Sequence, residues 1–205
     1  MAEKTEESAG TQPGEDLGRI GVSIKEGVVR SLKGINEIEV EIATVVRNTV
    51  SSTLRMTGDA AKESMTVTGE VMRGAISATE EVGTGLIMST KSVAKGIIMG
   101  VGDVGGDVVS VAGHTVREAV KDASAVGADV SLVARRAVEG VIEATGEMGG
   151  SVQETAKVAV GGAIEAAGAI GATALKAVRE MLVGVVEGVK EVAGAALPKT
   201  PPGKK

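Results

Sequence analysis

The sequence predicts an all-α protein: a very long or hairpin-folded amphipathic helix of about eight 22-residue repeats, elongated and without a globular core. Three observations lead there. The blocks "AVEGVIEATGEMGGSVQETAKV" (137–158) and "AVGGAIEAAGAIGATALKAVRE" (159–180) are each 22 residues long and share their apolar and glycine positions without a gap. Twenty-two residues make six helical turns at about 3.67 residues per turn, two eleven-residue units, whereas a strand would need a period of two. The chain has no Phe, Tyr or Trp and carries 30 glycines, poor material for a dense core of large side chains.

Taken in order, residues 1–16 ("MAEKTEESAGTQPGED") are polar and acidic and are expected to be a disordered tail. They offer neither the basic patch nor the apolar run of a secretory signal, so a cytoplasmic setting is expected. Residues 17–197 form the repeat region, about 270 Å long if helical throughout. Residues 198–205 hold Pro198, Pro201 and Pro202, which remove donors and clash with a helix, leaving a disordered Pro/Lys tail.

Within the repeat region the apolar residues stand in columns spaced by 22. One begins at Val28. A second runs through Leu32, Leu54, Ile76, Ile98, Val120, Ile142, Ile164 and Val186, and a third includes Val104, Val126 and Ile170. On a helical wheel they fall within about 130° of one another, a surface- or partner-facing stripe with Glu39 and Asp122 as the clear exceptions. Beside the third column lie Gly83, Gly105, Gly127, Gly149 and Gly171, read as close-packing glycines where another helix backbone could approach. Glycine pairs such as 105–106, 149–150 and 161–162 are where a bend is expected if one exists.

The polar face is sorted by sign. One edge carries Arg47, Lys91, Arg135, Lys157 and Arg179; the other carries Glu37, Asp59, Glu81, Asp103, Glu147 and Glu191. A helix ordered in this way suits parallel neighbours, basic edge against acidic edge, because an antiparallel neighbour would bring like charges together. This predicts a homo-oligomer formed by lateral helix pairing.

Composition narrows the function classes. A net charge of −5 and a pI near 5.1, with no stacking aromatics, argue against nucleic acid. Without cysteine there is no disulfide, thiolate ligand or thiol nucleophile. No run reaches the roughly 18–20 uncharged residues that span a bilayer. "GVGDVG" (100–105) matches G-x-G-x-x-G at Gly100, Gly102 and Gly105, but no strand precedes it, so the glycines are read as repeat members. His114, the one histidine, is expected to be solvated. No catalytic, metal, cofactor or small-molecule site is expected.

Tandem eleven-residue helical units rich in Val, Thr, Gly and Lys, with "IKEGVV" (24–29), "AVEGVIE" (137–143) and "VVEGVKE" (185–191), resemble the repeat regions of synucleins and perilipins. In outline the chain is also similar to phasins and late-embryogenesis-abundant proteins. The resemblance implies a chain that folds into a long helix on a membrane, lipid droplet or granule, peripherally attached. The leading expectation is therefore a non-enzymatic coat on a lipid or other apolar surface. The alternatives are a self-assembling structural protein, supercoiled to the right by its eleven-residue period, and a stress protectant, for which a mean hydropathy of +0.20 is high.

Overall fold

The computed structural model describes residues 21–26, 38–57, 60–82 and 85–196. The expectations for the two tails, and for Val28, Leu32, Glu37, Asp59 and Gly83, lie outside the described residues. All regular structure among those described is helical. A helical segment at 21–26 is followed by α1 (Ile38–Thr57), α2 (Ala60–Val82), α3 (Leu86–Gly102), α4 (Val108–Ala125), α5 (Val130–Glu147), α6 (Val152–Ile170) and α7 (Ala172–Ala196).

Of the two arrangements that the period leaves open, a very long helix and a folded one, the chain takes the folded one. The helix breaks once per repeat, including at the glycine pairs 105–106 and 149–150 but not at 161–162, which lies inside α6, and the break is chemical. Gly105, Gly127 and Gly149 take φ of 73°, 71° and 74°, a left-handed conformation that only glycine adopts freely. Each closes a Schellman-type turn, in which the N–H of the following residue donates to a carbonyl of the last helical turn: Gly106 to Val101 (3.0 Å), Ala128 to Ala123 (2.9 Å) and Gly150 to Thr145 (2.9 Å). Asp107, Asp129 and Ser151 then cap the next helix by accepting from Ser110, from Ser131 and Leu132, and from Glu154. The repeat is thus one helix of 17–19 residues plus a short turn through the middle of the chain.

The expected elongated, coreless shape is corrected accordingly. The helices fold back into a compact bundle, each packing on the next and on the one after it, so that α1, α3, α5 and α7 form one layer and α2, α4 and α6 the other. Helices two apart run parallel: Gly96 and Gly100 of α3 meet Ala43 and Arg47 of α1 in the same order along both helices. This is the quasi-one-dimensional stacking of a helical solenoid.

A core without aromatics exists because backbones come close. A Cβ at Gly96 would lie 2.5 Å from the Ala43 carbonyl oxygen, and at Gly100 it would lie 2.8 Å from that of Arg47. At Gly74, Gly140 and Gly162 it would strike the carbonyls of Gly21, Lys91 and Gly113. Between such contacts Val, Ala and Ile suffice to fill the space: Val46, Val50, Val71, Ile97, Val116, Val138 and Ala163 are fully buried. Thr115 and Thr145, also buried, donate to the carbonyls of Val111 and Val141 on their own helices.

Neighbouring glycines therefore have opposite roles, which a pair of substitutions exposes. A Cβ at Gly161 would meet nothing within 4 Å, whereas one at Gly162 would meet the Gly113 backbone. Gly161→Ala is expected to raise stability by about 1 kcal/mol through helix propensity. Gly162→Ala is expected to lower it by about 2 kcal/mol through overpacking. Urea midpoints at constant slope measure both.

Candidate functional site

The parallel stacking sets the basic edge of one helix against the acidic edge of the helix two further on. Arg47 of α1 makes a two-pronged contact with Asp103, just past the end of α3 (Nε–Oδ2 2.6 Å, Nη2–Oδ1 2.7 Å). Lys91 and Lys95 of α3 reach Glu143 of α5 at 2.6 and 2.7 Å, and Lys95 also reaches Glu147 at 2.7 Å. In the other layer Arg117 of α4 meets Glu165 of α6 at 2.6 Å. The hydrogen bond from Arg47 holds the Asp103 carboxyl below the usual range, and those from Lys91 and Lys95 do the same for Glu143. Partly exposed as they are, such pairs set register more than they add stability.

Of the residues singled out in the sequence, Arg47, Lys91, Asp103 and Glu147 are brought together in this ladder, within one chain. Arg135 instead pairs with Glu139 on its own helix (2.7 Å). Lys157 and Arg179 have no ion pair among the described residues. Glu81 and Glu191 lie in α2 and α7, and their side chains are outside the described residues. The apolar stripe turns inward: Leu54, Ile76, Ile98 and Val120 are buried. Val104, Val126 and Ile142 pack on the core, Ile164 and Val186 are half-buried, and Ile170 is exposed beside a turn.

The glycines read as close-packing are in fact turn glycines. Gly105, Gly127, Gly149 and Gly171 all have positive φ and nothing within 4 Å of a Cβ position. Close packing falls to Gly74, Gly96, Gly140 and Gly162, a column at multiples of 22 that residue spacing alone does not separate out. Glu143 and Glu165, acceptors in the ladder, are likewise missing from the residues that the sequence singles out. Of the G-x-G-x-x-G glycines, Gly100 packs on α1, Gly102 ends α3 and Gly105 forms the turn.

One seam differs. Where α3 and α5 carry Gly96 and Gly140, α4 carries Glu118, so it rests on α2 through Gly69, whose Cβ would lie 3.7 Å from His114 Nε2. His114, expected to be solvated, is half-buried here; desolvation lowers its pKa, with the Glu118 charge opposing. Glu118 is 7 % exposed and bonds to Lys121 (2.9 Å). Asp122, the exception on the apolar stripe, is pushed up to about 6 by desolvation, with Arg73 4.0 Å away as partial compensation. Its Oδ2 and the buried Thr68 hydroxyl have no hydrogen-bond partner among the described residues. Among the described residues no three His, Asp or Glu side chains are placed to hold a metal.

No known protein family matches the chain, and no curated protein is significantly similar to it. Among the described residues no helix is long and apolar enough to cross a membrane.

The seam has a testable pH signature. A carboxyl whose folded pKa is raised binds its proton more tightly when folded, so its penalty is full above about pH 6 and fades as the pH falls toward the ordinary Asp value. Asp122→Asn is expected to raise stability by about 1–2 kcal/mol at pH 7.5, discounted for solvent at the seam's edge, and by almost nothing below about pH 4. Wild-type His114 works against this trend, because its lowered pKa makes protonation on acidification destabilising. Chemical denaturation of both proteins across this range measures the difference.

Proposed function

We propose that the chain is a non-enzymatic structural protein that assembles with further copies of itself through the open ends of its helix stack. The carrying observation is that the ladder runs out with its donors unused. Among the described residues no helix lies two further on from α6 or α7, and these helices present Lys157 and Arg179 without ion pairs, beside Val183 at 55 % exposure. At the other end α1 presents exposed Glu39 and Glu41 together with Val40 at 75 % and Met56 at 79 %. Stacked repeats normally end in polar caps, and unlike ends that complement each other make a contact that repeats without closing.

A second reading, the peripheral coat on a lipid or other apolar surface, draws on the same apolar stripe. Val and Ala each bury little area, so a helix could exchange its packing in the bundle for a lipid interface. The likeness to synucleins and perilipins belongs to this reading. A cytoplasmic setting suits either one.

Sedimentation velocity over rising concentration separates them. Assembly predicts concentration-dependent growth without lipid that weakens with salt. The double change Lys157→Glu and Arg179→Glu is expected to suppress that growth. A chain that stays monomeric at high concentration but gains helix on vesicles would contradict assembly and support the coat.

A further inference from the structure

The last helix departs from the pattern that its own sequence continues. Gly171, Ala172 and Thr173 lie 22 residues beyond Gly149, Gly150 and Ser151, in the columns of the turn glycine and the capping residue. Yet Gly171 takes φ 149° and ψ 172° rather than the φ near 70° of the other three turns. α7 starts at Ala172, so Thr173 lies inside the helix instead of capping it.

The packing departs at the same place. Gly184 and Gly188 lie 88 residues beyond Gly96 and Gly100, the pair on which α1 sits. Both have nothing within 4 Å of a Cβ position. Instead of a backbone contact, α5 and α7 leave a groove of about 700 Å³ lined by Ile142, Met181, Val185, Val189 and Arg135. Arg135 lies 44 residues beyond Lys91 and Glu187 lies 44 beyond Glu143, but Arg135 bonds to Glu139 of its own helix rather than crossing the groove.

We infer that α7 has a second, seated position in which it closes on α5 as α3 closes on α1. In that position Gly184 meets Ser131 and Gly188 meets Arg135, the counterparts of Ala43 and Arg47. Gly171 takes the turn conformation of Gly149, Thr173 caps the shortened helix, and Arg135 exchanges Glu139 for Glu187. The apolar groove is then filled by α7 itself. Opening α7 uncovers it, so the end helix acts as a strap over an apolar recess. The inference concerns the single chain and holds whether or not copies assemble.

The test uses the full chain, which has no native cysteine. Spin labels at Arg136→Cys on α5 and Val183→Cys on α7 report the α5–α7 separation by pulsed dipolar spectroscopy, diluted with unlabelled protein. Two distances are expected. Gly184→Leu has room in the open groove but collides with α5 in the seated position, so it should abolish the shorter distance while far-ultraviolet circular dichroism stays unchanged. Arg135→Glu should deplete the shorter distance by at least severalfold, and adding Glu187→Arg should restore it. A single distance that neither Gly184→Leu nor Arg135→Glu alters would overturn the inference.

Discussion

The contact on which the rest depends is the approach of one helix backbone to another at a glycine. Where Gly96 lies on Ala43, Gly140 on Lys91 and Gly162 on Gly113, no side chain separates the helices. At that spacing the gaps on either side are filled mostly by Val, Ala and Ile, with Leu54, Met72 and Leu182 as the larger exceptions, which gives a buried core dominated by small and β-branched residues. The glycines weaken each helix as an isolated element, and the close packing they permit is what stabilises it in the stack. The local weakness and the tertiary fit have one cause.

Stacking at a constant repeat carries the other features with it. Parallel helices two apart place Arg47 beside Asp103 and Lys95 beside Glu143 and Glu147, and the same step places Arg117 beside Glu165. The seam between α2 and α4 is where the rule is relaxed. Glu118 occupies the glycine column there, and the desolvated Asp122 and His114 line a less apolar contact. Because each helix sees only near neighbours, such a local exception does not disturb the rest of the stack.

Much of this is legible in the sequence. The helical class, the 22-residue period, the apolar stripe and the sorting of charge into two edges all follow from residue spacing. Whether the helix is continuous or folded does not, because a 22-residue repeat has two physical realisations, six unbroken turns or one shorter helix plus a turn, and both keep the stripe in phase. What separates them is the conformation of Gly105, Gly127 and Gly149, followed two residues later by Asp107, Asp129 and Ser151. That Gly-x-Asp or Gly-x-Ser signature is present in the sequence, but periodicity outweighs it. The packing glycines are harder to see, since Glu118 interrupts their column and nothing local distinguishes Gly162 from Gly161. Which helix accepts the basic edge also depends on the turn, so an ordering suited to separate copies is realised within one chain.

The central claim is that the chain folds back on itself at every repeat, and small-angle X-ray scattering extrapolated to zero concentration tests it most directly. A compact chain of this length has a radius of gyration of about 17 Å, and values up to about 25 Å still mark a chain that folds back on itself. A value in that range is the predicted result. A value near 50 Å, as for an unfolded chain, or one larger still, as for a single helix of about 270 Å, would contradict the account.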